Sequence, residues 1–174
     1  MTDRSNSQVN RRVLLGATGV AGVLAAVGLW QFNAGASSTA PQGKFEVTKS
    51  DDEWKRTLTA DQYRVLRHEG TETPFTSPLL EEHRKGTFTC AGCDLDLFSS
   101  ATKFDSGTGW PSFWQPLPKA VLEITDTSNF MVRTAVACRR CGGHLGHVFN
   151  DGPKPTGLRY CMNGVAMKFK PATA

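Results

Sequence analysis

The sequence predicts a small, mainly β domain of antiparallel type with a short helical lead-in, and three observations carry that expectation. After residue 53 the apolar positions fall in short runs, β-branched or aromatic in part. Gly, Pro, Asn or Asp punctuates each run, which is the length and spacing of strands. No segment is long and periodic enough for an extended helix, and no internal repeat or low-complexity tract interrupts the pattern.

The chain of 174 residues has room for one ordinary domain and a tail. The tail comes first. Residues 1–12 are polar and carry Arg11-Arg12, and the 18 residues from Val13 to Trp30 hold no charge and are rich in Gly and Ala. That is the layout of an export signal. The paired arginines before an apolar run resemble a twin-arginine signal, although Asn10, Val13 and Gly16 depart from its commonest form. Ala34-Gly35-Ala36 offers small residues to a peptidase, so cleavage is expected after Ala36; Pro41 makes a cut after Ala40 less attractive. The alternative is an uncleaved membrane anchor, because about 20 apolar residues span a bilayer. Membrane contact is expected only through residues 13–30, and either reading puts the domain outside the cytoplasm, in a periplasm or an equivalent space. Residues 37–52, without apolar period, read as a linker, and residues 53–170 as the domain.

Within the domain, Leu58, Tyr63 and Leu66 have helix-compatible spacing and Thr59 is a suitable N-cap, so one short helix is expected over Thr57–Arg67. Pro74 and Pro78 stop any continuation, and the mixed composition of Leu79–Lys85 would allow another helical turn. Gly86–Cys90, Val121–Asp126, Phe130–Val136 and Val165–Phe169 are strand-sized.

Charge excludes one class of partner. The formal net charge is +4, but Arg4, Arg11 and Arg12 against Asp3 account for half of it, and the rest of the chain is nearly balanced. A balanced domain has no electrostatic footprint for phosphate backbones, so no nucleic-acid partner is expected.

Five cysteines remain to be explained. Cys90-Ala-Gly-Cys93 and Cys138-Arg-Arg-Cys141 are two C-x-x-C elements, each a tight turn that aims two thiolates at one centre. Together they complete the tetrahedral set preferred by zinc, so one structural Zn2+ per chain is expected. The wide gap between them means that the metal would clamp two distant parts of a sheet. Disulfides are the alternative an extracytoplasmic location permits, and a redox-active C-x-x-C is another.

Cys161 is left over, in G-L-R-Y-C-M-N-G, with Arg159 close before it and Asn163 close after. The thiolate is the useful nucleophile, and a neighbouring cation favours it. His144 and His147 follow the second C-x-x-C in C-G-G-H-L-G-H-V-F and are free for acid-base work if four sulfurs fill the metal. In G-T-G-W-P-S-F, a Gly-rich turn could present Trp110 as a binding wall, whereas Phe113 and Trp114 read as core.

These motifs, with the long run C-R-R-C-G-G-H-L-G-H-V-F-N-D-G-P-K-P-T-G-L-R-Y-C-M-N-G, resemble methionine sulfoxide reductases of the B type from about Trp54 to Phe169. The resemblance implies two small antiparallel sheets with the zinc site on the side away from the active cysteine. It implies Cys161 as nucleophile and Trp110 as the wall against the substrate methyl group. It implies His144, His147 and Asn163 as the groups around the sulfoxide oxygen or its water, Arg159 as the basic position that suits the thiolate, and Phe149 as a further wall.

The reaction implied is attack by Cys161 on the sulfoxide sulfur while an imidazolium protonates the oxygen. Methionine leaves and a sulfenic acid remains on Cys161, with R stereochemistry resting on the resemblance alone. Many members of that family carry a resolving cysteine in the turn before G-W-P-S-F, where this chain has Thr108. With four cysteines committed to zinc, an external reductant is expected, a thioredoxin-like protein or a small thiol, acting on an enzyme whose substrate is methionine-R-sulfoxide in proteins or peptides. A reading of a different class is a non-enzymatic zinc-ribbon module that binds a protein through Trp110 and its neighbours; it leaves Cys161, His144 and His147 without a purpose.

Overall fold

The computed structural model describes residues 44–173. The expected signal or anchor over residues 1–36 and its cleavage after Ala36 lie outside the described residues. Among those described, no helix is long and apolar enough to cross a membrane.

The lead-in consists of two helices where the sequence suggested one: α1 (Asp51–Thr57) and α2 (Ala60–His68). Each opens with a capping box, Ser50 with Glu53 and Thr59 with Gln62, so each N-cap side chain satisfies a backbone N–H that the helix leaves unpaired. Thr59 is therefore the cap expected. Its extended backbone, together with that of Leu58, is also what separates the two helices. The Ser50-x-x-Glu53 signature of α1 was legible and begins within the segment read as linker. Val47 donates to the Arg140 carbonyl at 3.1 Å, so packed structure begins before Glu53. Leu79–Lys85 contributes no helix; only a single 3-10 turn forms, over Pro78–Leu80.

Nine strands follow among the described residues: β1 (Gly86–Cys90), β2 (Asp96–Ser99), β3 (Lys103–Phe104), β4 (Ser112–Phe113), β5 (Val121–Asp126), β6 (Arg133–Cys138), β7 (His144–Phe149), β8 (Arg159–Met162) and β9 (Met167–Pro171). Two of them, β1 and β5, match the sequence reading at both ends. The strands expected at Phe130 and Val165 start later, at Arg133 and Met167, because 3-10 turns occupy Ser128–Phe130 and Gly164–Ala166. The strands form two antiparallel sheets, β2-β1-β9 and β3-β4-β8-β7-β6-β5.

The fold is thus mainly β with two sheets and few helices, and its core lies between them. Phe98 from the smaller sheet stacks on Phe113 from the larger one at 4.4 Å, and Phe88 meets Phe113 edge-on at 4.9 Å. Aromatic pairs of these geometries add attraction to the area they bury. Leu97, Val136, Leu145 and Met162 fill the space around them, with Val65 and Leu66 of α2 and Trp54 of α1 closing one side. Phe113 is core as expected, whereas Trp114 is only half-buried.

Candidate active site and metal centre

Two sets of residues that lie far apart in sequence converge, the first built by strand ends and turns and the second by the paired strands β7 and β8 with the turn that carries Trp110. The first is the cysteine cluster. Cys90 ends β1 and Cys138 ends β6, and after each the chain turns back so that Cys93 and Cys141 face them. The two turns are alike: Asp94 donates to the Cys90 carbonyl and Gly142 to the Cys138 carbonyl, both at 2.8 Å, and both residues are left-handed, with φ of 58° and 69°. Glycine takes that conformation without strain.

The four sulfurs lie within 4.8 Å of one another, with Cys90–Cys141 at 3.7 Å and Cys93–Cys138 at 3.5 Å. Sulfurs about 2.3 Å from one tetrahedral ion stand about 3.8 Å apart, so the donor set fits zinc in size and chemistry. These separations are well beyond the roughly 2.05 Å of a disulfide. Three of the four cysteines are buried, and as thiolates so close in a buried place they would need a cation between them. Since β1 and β6 belong to different sheets, a metal held by the cluster would tie the two sheets together, where the sequence suggested two parts of one sheet. Arg67 of α2 donates to the Cys141 carbonyl at 3.0 Å and Arg140 to that of Cys93 at 3.2 Å, fixing both turns from outside.

The second set surrounds Cys161, which sits on β8 between β4 and β7, paired with Ser112 on one side and His147 on the other. Gly146 allows this approach: a Cβ there would lie 2.1 Å from the Cys161 carbonyl oxygen. A cleft opens over the sulfur, lined by Trp110, His147, Phe149, Asn163, Arg133 and Thr71. None of the four clustered cysteines lines it. Thr108 brings its hydroxyl to 3.7 Å from the Cys161 sulfur and continues through Ser106 to Ser112 at 2.8 and 2.7 Å.

His144 and His147 are three residues apart, a spacing that simple strand alternation would put on opposite faces. A bulge in the β6–β7 pairing, where His144 and Gly146 stand against consecutive residues of β6, offsets the count. The two rings then meet edge to face at 5.3 Å. Their environments differ. His147 lines the cleft, and its Nε2 lies 2.8 Å from Asp126 Oδ2 on β5. His144 lies behind it, 6% exposed, in a separate cavity beneath α2 that it shares with Leu66 and Ala135. Burial, with the neighbouring charge of His147, pushes its imidazole down to about 4. His144 is thus neutral near pH 7 and does not line the cleft with the sulfur.

Asp126 resists the cost of its burial: hydrogen bonds from Ser128, the His147 contact and the Arg133 guanidinium at 2.7 Å hold its carboxyl well below the usual range. Arg159 points its guanidinium at Asp151, with Nε and Nη2 each 2.9 Å from a carboxylate oxygen, and stacks over the Phe149 ring at 4.4 Å. Asp151 and the nearby Cys161 both raise the Arg159 pKa against its partial burial.

Asn163 lines the cleft, but most of its amide is engaged: Oδ1 accepts from the Glu72 N–H at 2.7 Å and Nδ2 donates to the Leu145 carbonyl at 3.0 Å. Trp110 is held by the same strap, its indole N–H donating to the Glu72 carbonyl at 2.9 Å. The Glu72 carboxylate accepts from the Gly164 and Val165 N–H groups at 2.6 and 3.3 Å, and burial raises its pKa in spite of those bonds. The structure therefore brings together Cys161, His147, Trp110, Phe149 and Asn163, with Arg159 supporting them and His144 behind. Asp126, Arg133 and Glu72 were missed in the sequence, where no spacing or motif connects them to Cys161.

Comparison with known proteins agrees with this geometry. The SelR domain matches residues 58–171. A peptide methionine sulfoxide reductase MsrB of Leptospira interrogans is 56% identical over 127 residues, covering 72% of this chain and 97% of that protein. One from Agrobacterium fabrum is 56% identical over 127 residues, with 72% and 94% covered. One from Methanosarcina barkeri is 56% identical over 125 residues, with 71% and 88% covered.

Proposed function

The chain belongs to the SelR-domain family, that of the peptide methionine sulfoxide reductases MsrB, and on that premise we propose that it reduces methionine-R-sulfoxide in proteins and peptides through Cys161 alone, without an internal resolving cysteine. The observation that carries the reading is the Cys161 sulfur at the floor of a cleft walled by Trp110 and Phe149 and bordered by His147.

The Trp110 and Phe149 rings suit the apolar methyl and methylene groups of the substrate, leaving its sulfur against Cys161. The Cys161 thiolate attacks that sulfur, and His147 in its protonated form gives a proton to the sulfoxide oxygen. Asp126 holds the His147 ring in place through Nε2, so that Nδ1 is the nitrogen left to face the substrate. The sulfoxide sulfur gains two electrons as its bond to oxygen breaks, the Cys161 sulfur loses two, and the oxygen leaves with Cys161 as a sulfenic acid. Arg159 is suited to holding the thiolate before attack. The placement of Asn163 supports a positioning role, through Glu72 and the strap that carries the Trp110 bond, more than direct contact with the departing oxygen. His144, neutral and set back, supports His147 from behind.

Thr108 faces Cys161 where a resolving thiol would stand, and its hydroxyl cannot form a disulfide. An external thiol then condenses with the sulfenic acid, releasing water, and a second thiol displaces it to restore Cys161. Cys90, Cys93, Cys138 and Cys141 would hold one Zn2+, whose contribution with four sulfur ligands is structural. Export or anchoring is proposed from the uncharged segment after Arg11-Arg12, and finding the full chain in a cytoplasmic fraction would remove that part of the reading.

The test is turnover of R- and S-methionine sulfoxide peptides by the full chain, wild type beside Cys161→Ser, with excess small dithiol. Reduction of the R epimer only, abolished by the substitution, is expected. Equal activity in the serine variant would overturn the assignment of the nucleophile, and no activity in folded, zinc-loaded wild type would overturn the whole reading.

A further inference from the structure

The cleft over Cys161 does not end at the sulfur. It shares Arg133 and Phe149 with a second groove that runs onward across β5, β6 and β7, lined also by Val132, Val148, Leu158 and Glu123. Val148 and Leu158 rest on the core and give this groove an apolar floor. Each of its two charges has a partner: Asp126 holds Arg133 Nη2 at 2.7 Å, leaving the buried Arg133 Nε without a hydrogen-bond acceptor among the described residues, and the Glu123 carboxylate accepts the Tyr160 hydroxyl at 2.7 Å.

The rim is unusual. Phe130, Met131 and Val132 follow one another at the tip of the β5–β6 connection with relative exposures of 109%, 49% and 81%. Three consecutive apolar side chains held in water are a cost without return in an isolated protein, and such patches mark places where something binds. The patch leads directly into Arg133 and so into the cleft. A free amino acid would fill the cleft and leave the groove empty. A peptide has further reach: its main chain continues on both sides of the oxidised residue, with the next side chains at about 3.3 Å per residue, and on the Arg133 and Phe149 side of the cleft they meet the groove.

We propose that this groove, with Val132 at its rim and the exposed Phe130 two residues before it, is a subsite for an apolar side chain flanking the oxidised methionine of an unfolded polypeptide. The inference rests on the reductase reading of Cys161. It makes apolar surroundings, the part of a protein exposed when a core opens, the preferred context for repair. Selection of the side chain depends on contact area over the apolar floor of Val148 and Leu158.

The test compares three substrates with the full chain and a small dithiol: N-acetyl-methionine sulfoxide amide, a pentapeptide sulfoxide flanked by leucines, and the same peptide flanked by serines. Wild type is expected to favour the leucine peptide over the serine peptide in kcat/KM by roughly tenfold, the scale of one apolar contact in a specificity pocket. Val132→Asp and Phe130→Ser change exposed side chains and should leave the melting temperature in place. Each is expected to reduce that preference while leaving turnover of the amide as in wild type. Equal kcat/KM for both peptides in wild type would overturn the subsite while leaving the reductase reading intact. A preference unchanged in both variants would overturn it too. If the variants slowed turnover only with a thioredoxin-like reductant and not with the dithiol, the patch would be a docking place for the reductant, and the proposal would fail. Absence of turnover of all three substrates would remove the reductase reading and the subsite with it.

Discussion

Asp126 touches the proposed chemistry only through His147, and the residue scale is where its contribution can be separated. The contact at 2.8 Å fixes which imidazole nitrogen faces the carboxylate, and Arg133, on the same oxygen Oδ2 at 2.7 Å, helps keep that carboxylate ionised. Asp126→Asn keeps the shape and loses the charge, so kcat for the R-sulfoxide is expected to fall by roughly 10- to 100-fold, the scale of losing the group that orients a functional histidine. KM should change little, and steady-state kinetics check both. A KM effect alone would put Asp126 in binding instead. His144 carries a prediction about stability. Burial holds its folded pKa near 4, below the ordinary 6.5, so between those values the unfolded chain binds more protons than the folded one. The stability linked to His144 is complete above about pH 6.5 and declines as pH falls toward 4, by about 3 kcal/mol in all. Denaturant titrations at several pH values should show a flatter dependence over that window in His144→Gln than in wild type. Parallel curves would mean that His144 does not titrate differently on folding. Neither effect was legible in the sequence: the two histidines look equivalent in H-L-G-H, and only the bulge opposite β6 buries one and puts the other at the cleft.

At the scale of elements, β7 and β8 carry His147, Phe149, Arg159 and Cys161, while the turn between β3 and β4 brings Thr108 and Trp110 to them and the knuckles after β1 and β6 complete the cysteine cluster. Thr108 rides on the first of these turns, 3.7 Å from the Cys161 sulfur and tied to Ser106. If the turn already has the geometry of a resolving site, Thr108→Cys supplies the missing thiol. After one turnover without reductant, wild type is expected to carry Cys161 with one added oxygen by mass spectrometry. The variant should instead lose two hydrogens as the introduced thiol forms a disulfide with Cys161. A variant that still accumulated the oxygen adduct would show that the turn cannot close on Cys161. Four of the nine described strands were legible, β1 and β5 to the residue, because turn residues bound short β-branched runs; β2, β3, β4, β7 and β8 were not singled out, and one helix was expected where two form. The misplaced starts of β6 and β9 have a shared reason. Apolar residues occupy both 3-10 turns, so composition alone extends the strands through them.

At the scale of the whole molecule, the cysteine cluster is a proposed metal cross-link between the two sheets, joining the end of β1 to the end of β6 beside the Arg140 bond to the Cys93 carbonyl. Cys93→Ser removes the least buried of the four proposed ligands and is expected to lose the zinc and lower Tm by roughly 10 °C or more, measured by metal analysis and calorimetry. Unchanged Tm in the metal-free variant would mean that packing alone holds the sheets together. By itself the sequence determined the mainly β class, the capping of α2, the four cysteines able to hold a metal and the singular position of Cys161. Each of these is written in local spacing, which the periods of strand and turn translate directly into geometry. The tertiary structure decided which sheets the cluster joins, that His147 and not His144 lines the cleft, and that Glu72, Asp126 and Arg133 belong to the site. Those contacts join distant parts of the chain, as Glu72 meets Asn163 from 91 positions away. Strand order and one bulge create them, and neither follows a period that can be read along the chain.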